Sequence, residues 1–366
     1  MLNQSFEQWK KDLLMSAKEM RIPIVGQYEL TACCNLDCKM CYIHNADSNA
    51  LHNRELSTET WLRIFDEAYD MGLMFATLTG GECLLRRDFK ELYLHLWNKS
   101  VRISIFTNGT LIDDDYIEFF KNYPPAKIRI SLYGSNEEAY LKVTGHTGFK
   151  KATSAYKKLL ASNIPVGIAV TPSSYMKDDY MNIRHFCENN GIYCPPANYY
   201  LTKNRENPDK DDYSLTIDEI VSLETEVALQ KGALVPMDNP PEPGGSCTEA
   251  PVGLVCNAGR GAVLVSWDGT MHPCASLHEG TASLLKMSYA EAWEETKALV
   301  DKVLRGAECV GCPYDSVCPK CPVMRSTSTH SGHCNPDVCE LSRRFVAAGV
   351  RKLDMRQEDD EDEIEH

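Results

Sequence analysis

Short apolar runs alternate with longer amphipathic segments between residues 24 and 201 of this chain. In segment 56–71, for example, Trp61, Leu62, Phe65 and Ala68 recur at helical spacing, which is the pattern of a helix with one buried face. The same reasoning predicts strands at 24–30, 75–79, 101–106, 128–132, 165–170 and 197–201, and helices at 56–71, 88–97, 113–121, 149–161 and 176–190. Strands that alternate with helices in this way predict an α/β fold with a parallel sheet and the helices outside it.

Candidate functional residues stand where the predicted strands end. Gly80, Gly81 and Glu82 follow the second strand, Asn108 follows the third, and Ser131 lies at the end of the fourth. Because the parallel strands of a barrel all end on one face, these residues are expected to share a site. Six strand–helix units instead of eight predict an open, partial (βα)6 TIM-like barrel, and its lateral mouth would suit a bulky substrate.

The cysteine count and the N-terminus together suggest a reducing compartment. It has 366 residues, of which 43% are hydrophobic, and 16 are Cys. The N-terminus lacks the basic and apolar regions of a signal peptide, and no apolar run approaches the length of a membrane span. We therefore expect a cytoplasmic protein, away from membranes, whose Cys-x-x-Cys pairs serve metal or redox chemistry instead of disulfides. Oxygen-sensitive clusters on such pairs would further suggest an anaerobic cell.

The charge of the chain argues against one class of partner. The formal net charge is -14, and the run 358–365 near the C-terminus supplies seven of the acidic residues. Such a run is typical of a solvated, disordered tail, although it could steer a basic partner. We expect no nucleic-acid partner for so acidic a protein.

Three cysteines directly after the first predicted strand carry the strongest chemical signal. Cys34, Cys38 and Cys41 are separated by three and then two residues. Three thiolates at this spacing can ligate three irons of a 4Fe-4S cubane, a cluster that is normally held by four Cys. The fourth iron is then open to a small molecule. A zinc knuckle or a chance cluster is the alternative.

This spacing resembles the signature of the radical S-adenosylmethionine (SAM) superfamily. The resemblance implies that Cys34, Cys38 and Cys41 hold the cluster, that SAM chelates its open iron, and that reductive cleavage of SAM gives a 5′-deoxyadenosyl radical. In that family the backbone of the residue before the third Cys reaches the adenine, and here that residue is Met40. An aromatic residue is more usual there.

The strand-end residues fit the same resemblance. Gly80, Gly81 and Glu82 resemble the family's Gly-Gly-Glu-Pro motif, with Cys83 in place of Pro, and this implies a role in binding the methionine amino group of SAM. The resemblance also implies that Asn108 and Ser131, named above, contact the ribose or methionine part of SAM. Asn108 has the alternative role of shaping an Asn-Gly turn. Cys33 and Cys83 are either buried inert thiols or hydrogen-atom donors.

The second half of the chain differs in composition. Residues 236–245 read as a linker, and a Cys-rich segment follows. That segment resembles the SPASM extension of peptide-modifying radical SAM enzymes, which carries two auxiliary 4Fe-4S clusters. We therefore predict an N-terminal helical segment at 1–22, a radical SAM barrel at 23–235, a SPASM domain at 236–345 and an acidic tail at 346–366.

The resemblance also implies a set of ligands for the auxiliary clusters. The outer cluster would be held by Cys309, Cys312, Cys318 and Cys339, and the inner cluster by Cys256, Cys274 and Cys321, with Cys247 as a candidate fourth ligand. Cys334 is the alternative to Cys339 as the late ligand. One or two structural zinc ions are the alternative to clusters.

The SPASM resemblance implies a maturase that modifies a ribosomally synthesised peptide, and we expect a thioether or a carbon–carbon cross-link. A sulfatase-maturing enzyme or a small-molecule radical dehydrogenase or epimerase is the alternative. Sulfatase-maturing members of the family typically place an Asp base directly after the Cys that matches Cys274. Here Ala275 follows it, which disfavours that alternative. A non-catalytic iron–sulfur or zinc-binding protein is the alternative of another class, although a scaffold would have no need of a SAM site.

Two kinds of partner follow from this reading. One is the precursor peptide, and the other is an electron donor such as flavodoxin or ferredoxin. About 22 residues precede the first predicted strand, which is too few for a leader-recognition domain. The peptide is therefore expected to dock on the barrel or the SPASM surface, or to use a separate leader-recognition protein.

Overall fold

The computed structural model describes residues 6–43, 55–195, 197, 199, 213–234, 237, 252–277, 280, 282–305, 309–310, 312–314, 316–321, 323 and 336–350. The strands in this part are β1 (Val25–Glu29), β2 (Phe75–Thr79), β3 (Arg102–Thr107), β4 (Lys127–Ser131), β5 (Val166–Ala169), β6 (Val252–Gly253), β7 (Ala262–Val265), β8 (Met271–His272) and β9 (Leu304–Arg305). The α-helices are α1 (Phe6–Met20), α2 (Thr58–Asp70), α3 (Phe89–Asn98), α4 (Asp114–Asn122), α5 (Glu137–Thr144), α6 (Phe149–Ala161), α7 (Tyr180–Asn189), α8 (Ile217–Gln230), α9 (Tyr289–Val300) and α10 (Pro336–Ala347).

Seven strands form one sheet in the order β5-β4-β3-β2-β1-β7-β8. The strands from β5 to β7 in this order are parallel, whereas β8 runs antiparallel to β7. β1 pairs on one side with β2, where Val25 faces Phe75, and on the other with β7, where Val25 faces Ala262. A strand of the Cys-rich half therefore extends the barrel sheet, which the sequence did not predict.

The helix side of the sheet holds the main hydrophobic core. Tyr28 of β1 is completely buried against Trp61 and Phe65 of α2, and its ring meets that of Phe65 edge-on with centroids 5.0 Å apart. Such aromatic pairs contribute about 0.5–1.5 kcal/mol beyond the burial of their area. This layer of helices on a parallel sheet confirms the predicted α/β fold, and the first five of the six predicted strands are present.

Most element boundaries lie within two residues of their predicted positions, and α6 matches at both ends. Within residues 24–201 one helix was missed, and no prediction was made for α8, α9 and α10. α5 begins after Asn136, whose side chain accepts a hydrogen bond from Ala139 N, and it ends at Gly145 with φ of 72°. An N-cap Asn and a C-terminal Gly are ordinary signals of helix ends, so this helix was predictable from the sequence.

Two further expectations fall partly beyond the described residues. Ala197 and Tyr199 lie in no strand, and 196, 198 and 200–212 are not described, so a sixth strand at 197–201 stays a prediction. α10 reaches Ala347, and Val350 is buried, which places 346–350 of the expected tail in folded structure, while 351–366 are not described. The domain boundaries at 22, 235 and 345 stay predictions. Within the described part, none of the helices has the length and apolarity to cross a membrane.

Candidate functional site

The three cysteines of the motif lie on a loop that leaves the carboxyl end of β1. Cys34, Cys38 and Cys41 are all half-buried there. The loop is attached to α5 by two backbone hydrogen bonds, from Asp37 N to the carbonyl of Thr144 at 2.8 Å and from Lys39 N to that of Val143 at 3.2 Å. The missed helix thus holds the middle of the Cys motif in place.

The surroundings of Cys34 and Cys38 oppose free thiolates. Burial raises the pKa of Cys34, and a hydrogen bond from the amide of Leu36 opposes this effect only in part. The resulting pKa is about 12. Burial raises the pKa of Cys38 further, and the nearby Cys41 and Cys34 add to this effect. Thiolates held together at this position would need cations to compensate their charge. Three thiols are the kind of donor set that three irons of a cubane require, and the role of Cys34, Cys38 and Cys41 as cluster ligands stays a prediction.

Gly80 and Gly81 lie against the chain that leads into the Cys loop. Gly81 N donates to the carbonyl of Thr31 at 2.8 Å, and Glu82 N donates to that of Cys33 at 2.8 Å. A Cβ on Gly81 would stand 2.4 Å from the Cys33 oxygen. Gly80 has a φ of 129°, which a side chain strongly disfavours, and a Cβ there would stand 2.4 Å from the Thr31 oxygen. Both glycines are needed for the close approach of these two segments.

The carboxylate of Glu82 joins the ends of β2 and β3. This side chain has no exposed surface, and it accepts hydrogen bonds from Asn108 N at 2.7 Å, Leu84 N at 3.1 Å and Thr107 Oγ1 at 2.8 and 2.9 Å. Burial raises the pKa of Glu82, while these donors favour its ionised form. The contact of Glu82 with SAM stays a prediction, and its contacts within the chain organise the site.

Asn108 shapes the turn after β3 and also contacts the Cys loop, while its contact with SAM stays a prediction. Its Oδ1 accepts from Thr110 N at 2.9 Å and from Thr110 Oγ1 at 2.6 Å, which shapes the turn after β3. Its Nδ2 donates to Asn35 Oδ1 at 2.8 Å and lies 4.0 Å from Cys34 Sγ. Asn108 therefore connects the turn directly to the Cys loop.

Ser131 and Met40 also lie at this end of the sheet. Ser131 is half-buried as the last residue of β4. Met40 is buried within the Cys loop and belongs to the main hydrophobic core. Tyr133 lies two residues beyond Ser131, and burial together with the neighbouring Cys38 raises its pKa. The contacts of Ser131 and Met40 with SAM stay predictions.

Cys33 and Cys83 are both buried thiols. Cys83 has no exposed surface, and its Sγ lies 3.5 Å from the carbonyl oxygen of Phe106. Burial raises the pKa of both thiols. Cys83 therefore fills the interior between β2 and β3 at the position where the family has Pro, which favours the inert reading for this residue.

The ion pair between Arg86 and Asp88 stabilises the same region. No pattern in the sequence had pointed to it. Arg86 donates to the carbonyl oxygen of Leu30 at 3.0 Å and to that of Leu56 at 3.2 Å. Its guanidinium also holds Asp88 through two bonds of 2.8 and 2.6 Å. Trp267, just after β7, packs with Cys33 and Cys41 from the other side. Arg86, Asp88 and Trp267 belong to none of the motifs identified in the sequence.

The cysteines of the second half are described only in part. Cys256 is exposed, while Cys274, Cys309, Cys312, Cys318 and Cys321 are half-buried. Cys274 comes shortly after β8, and Cys339 lies in α10. Cys247 and Cys334 lie outside the described residues. The assignment of these cysteines to two clusters stays a prediction.

Comparison with known proteins defines the class of this site. Residues 28–179 match the model of the radical SAM superfamily. That range begins in β1 and ends just before α7, so it contains the Cys loop, the two glycines and the strand-end residues. The chain therefore carries a radical SAM domain, and the predicted radical SAM enzyme is confirmed.

Individual proteins resemble the chain over most of its length. It is 26% identical over 315 residues to the sporulation killing factor maturation protein SkfB of Bacillus subtilis (strain 168). The aligned region covers 83% of this chain and 75% of SkfB. It is 24% identical over 329 residues to the AdoMet-dependent heme synthase of Methanosarcina barkeri (strain Fusaro / DSM 804). This aligned region covers 84% of the chain and 93% of that enzyme.

A solved structure shares the fold. Streptococcus suis SuiB bound to its precursor peptide SuiA matches with a TM-score of 0.63 at 15% identity, and the match covers 93% of this chain and 82% of SuiB. At this identity the likeness extends to the fold alone, and it supports the predicted partial barrel.

Proposed function

We propose that this protein is a radical SAM maturase that modifies a ribosomally synthesised peptide, by a thioether or a carbon–carbon cross-link. One observation carries the enzymatic part of the proposal. The loop with Cys34, Cys38 and Cys41 is joined to the Gly-Gly-Glu turn by the bond from Glu82 N to the Cys33 carbonyl, and to Asn108 through Asn35. The candidate cluster ligands and the candidate SAM-binding residues are thus connected by hydrogen bonds.

The residues of the chain have separate roles in this proposal. Cys34, Cys38 and Cys41 would hold a 4Fe-4S cluster, and the backbone around Gly80 and Gly81 would receive the methionine end of SAM. Cluster and SAM together would supply an electron and a 5′-deoxyadenosyl radical that abstracts a substrate hydrogen. The buried contacts of the strand ends would keep SAM and substrate in contact and exclude water, because abstraction needs near contact of the reacting atoms.

The peptide substrate is supported by two relatives. SkfB, a maturation protein, resembles the chain over most of both sequences, and SuiB, which shares the fold, binds a precursor peptide. Two auxiliary 4Fe-4S clusters on the late cysteines belong to the same proposal. They could accept the product electron or bind a substrate thiolate.

A small-molecule substrate is the second candidate. The AdoMet-dependent heme synthase matches along 93% of its own length, which is more than the share of SkfB that is matched. Its lower identity of 24%, against 26%, leaves the peptide as our preferred substrate.

The test combines SAM cleavage with product mass. The reconstituted anaerobic protein is incubated with SAM, dithionite and synthetic peptides from short Cys-containing reading frames beside its gene. We expect 5′-deoxyadenosine and a peptide that has lost two hydrogens, and prior alkylation of the peptide thiols should block a thioether but not a carbon–carbon link. Deoxyadenosine with unchanged peptides, but with turnover of an iron porphyrin, would favour the second candidate. No deoxyadenosine with intact clusters would contradict the enzyme.

A further inference from the structure

The distribution of basic residues is uneven in this acidic chain. No Asp or Glu stands between Glu138 and Asp178, although the chain has 52 acidic residues, and this stretch contains Lys142, His146, Lys150, Lys151 and Lys157. All five of these basic side chains are exposed. We call them the basic face.

The basic face points away from the interior of the barrel. On α6, the buried residues Ala152, Ala155 and Leu159 pack toward the sheet, and Lys150, Lys151 and Lys157 lie on the opposite, exposed side. A shallow groove of about 420 Å³, lined partly by Lys150 and Lys157, runs along this side. The basic face therefore lies on the outside of the barrel, on the side of α6 that is turned away from the sheet.

The near end of the basic face adjoins the loop of the Cys motif. Lys142 directly precedes Val143, whose carbonyl accepts from Lys39 N, between two of the motif cysteines. The loop that leads into α6 touches the same region, because a Cβ on Gly145 would stand 3.3 Å from Asp37 Cβ. One end of the basic face, at Lys142, therefore adjoins the cluster-binding loop.

The positive charge of this face is available to a partner. Among the described residues, no carboxylate forms an ion pair with Lys142, Lys150, Lys151 or Lys157. Glu137, at the start of α5, turns its carboxylate to the backbone amides of Gly148 and Lys150. The edge of the face also carries the exposed Asp37 on the Cys loop, the exposed Glu138 on α5, and Asp114, which pairs with Lys158 at 2.7 Å.

We propose that the basic face is the docking surface of an acidic one-electron carrier protein, which reduces the cluster of Cys34, Cys38 and Cys41. The proposal rests on the function given above, since that chemistry requires one electron for each cleavage of SAM. Electron transfer between proteins needs a short path, and the basic face offers one through the loop that holds the ligands. Complementary charge would speed the encounter of the carrier with a chain whose net charge of -14 otherwise repels it.

The test uses flavodoxin as the probe and the double variant Lys150→Glu/Lys151→Glu. Glutamates are favourable in the first turn of a helix, so α6 should remain folded. The matched control, Lys286→Glu/Lys302→Glu, makes the same change of charge at two exposed lysines outside the basic face. Two quantities are measured on the holoenzyme: the Kd for flavodoxin at low and high salt, and the rate of deoxyadenosine formation with reduced flavodoxin or with dithionite.

We expect the basic-face variant to bind flavodoxin about tenfold more weakly than the control at low salt, and to lose most of the salt dependence. Its rate with flavodoxin should fall similarly, while its rate with dithionite should equal that of the control. Equal affinities of the two variants would overturn the proposal, and so would an equal loss of the dithionite-driven rate. Failure of the proposed function would be distinguishable, because the wild type would then form no deoxyadenosine with dithionite, whereas the affinity for flavodoxin would still be measured.

Discussion

The backbone amide of Glu82 donates a 2.8 Å hydrogen bond to the carbonyl of Cys33, the residue directly before the first cysteine of the motif. Two segments that lie almost fifty residues apart in the chain are joined at this point. Because the bond is between backbone groups, its geometry depends on how closely the two chains approach, and Gly81 is the residue that permits the approach.

Gly81→Ala should therefore disrupt the Cys loop. The new Cβ would lie 2.4 Å from the Cys33 oxygen and 2.7 Å from the Ala32 oxygen, and neither backbone atom can move without displacing the loop. We expect a large loss of bound iron after reconstitution, together with a lower temperature of unfolding. Gly253→Ala is the control, since a Cβ at that position meets nothing within 4 Å. Normal iron content in Gly81→Ala would contradict this account of the loop.

Glu82→Ala should lower both stability and SAM affinity. The substitution leaves the buried donors Asn108 N and Leu84 N without their acceptor, at a cost of about 1–3 kcal/mol in the free energy of unfolding. If the carboxylate also binds the SAM ammonium, SAM should bind about ten- to a hundredfold more weakly, while iron content stays unchanged.

Thr107→Val separates these two effects. It removes the hydroxyl that bonds to Glu82 but keeps the carboxylate and the shape of the side chain. SAM affinity, measured by equilibrium binding, should change much less than in Glu82→Ala. Unchanged affinity in Glu82→Ala would show that Glu82 has a purely structural role.

Replacing Cys34, Cys38 and Cys41 together by Ala should remove about four irons per chain, the content of one cubane, and should abolish SAM cleavage. The intact anaerobic protein should contain clearly more iron than this, because the late cysteines are predicted to hold two further clusters. Iron and sulfide analysis of both proteins gives the answer. A value near four irons in the intact protein would exclude the auxiliary clusters.

The Arg86–Asp88 pair should make stability depend on pH in acid. Burial raises the pKa of Asp88, but the hydrogen bonds from Arg86 and Thr58 outweigh it, so that the pKa lies below its ordinary value. In the unfolded chain this carboxyl has a pKa of about 3.9. A depressed pKa in the folded protein therefore contributes stability that is fully present above this value and is lost as the pH falls through the folded pKa.

Asp88→Asn should destabilise the protein at neutral pH by about 1–3 kcal/mol, as expected for hydrogen bonds to a charged group. The difference from wild type should shrink between about pH 4 and the lower folded pKa. Denaturant unfolding of both proteins across this pH range measures the difference in the free energy of unfolding. Any loss of iron in acid is expected to affect the variant and the wild type alike. Glu118→Gln, which removes an exposed ion pair with Lys121 at 3.5 Å, is the control. A constant difference between Asp88→Asn and wild type at all pH values would contradict the assignment.

The sequence by itself determined the class of the protein and the order of its elements. Local patterns specify β2 and α6 residue by residue, because the periodicity of apolar residues acts over short distances. The spacing of Cys34, Cys38 and Cys41 identified the radical SAM domain for a similar reason, since the motif is contiguous and its chemistry depends on residue type. α5 was missed even though its capping residues were present.

Only the tertiary structure decided how these segments meet. The pairing of β7 with β1, the support of the Cys loop by Thr144 and the enclosure of Glu82 by Asn108 and Thr107 all join residues far apart in sequence. No periodicity or motif records such contacts, because they depend on where the chain turns in space. The same holds for Cys83, whose buried position comes from the closure of β2 on β3 and not from its neighbours along the chain.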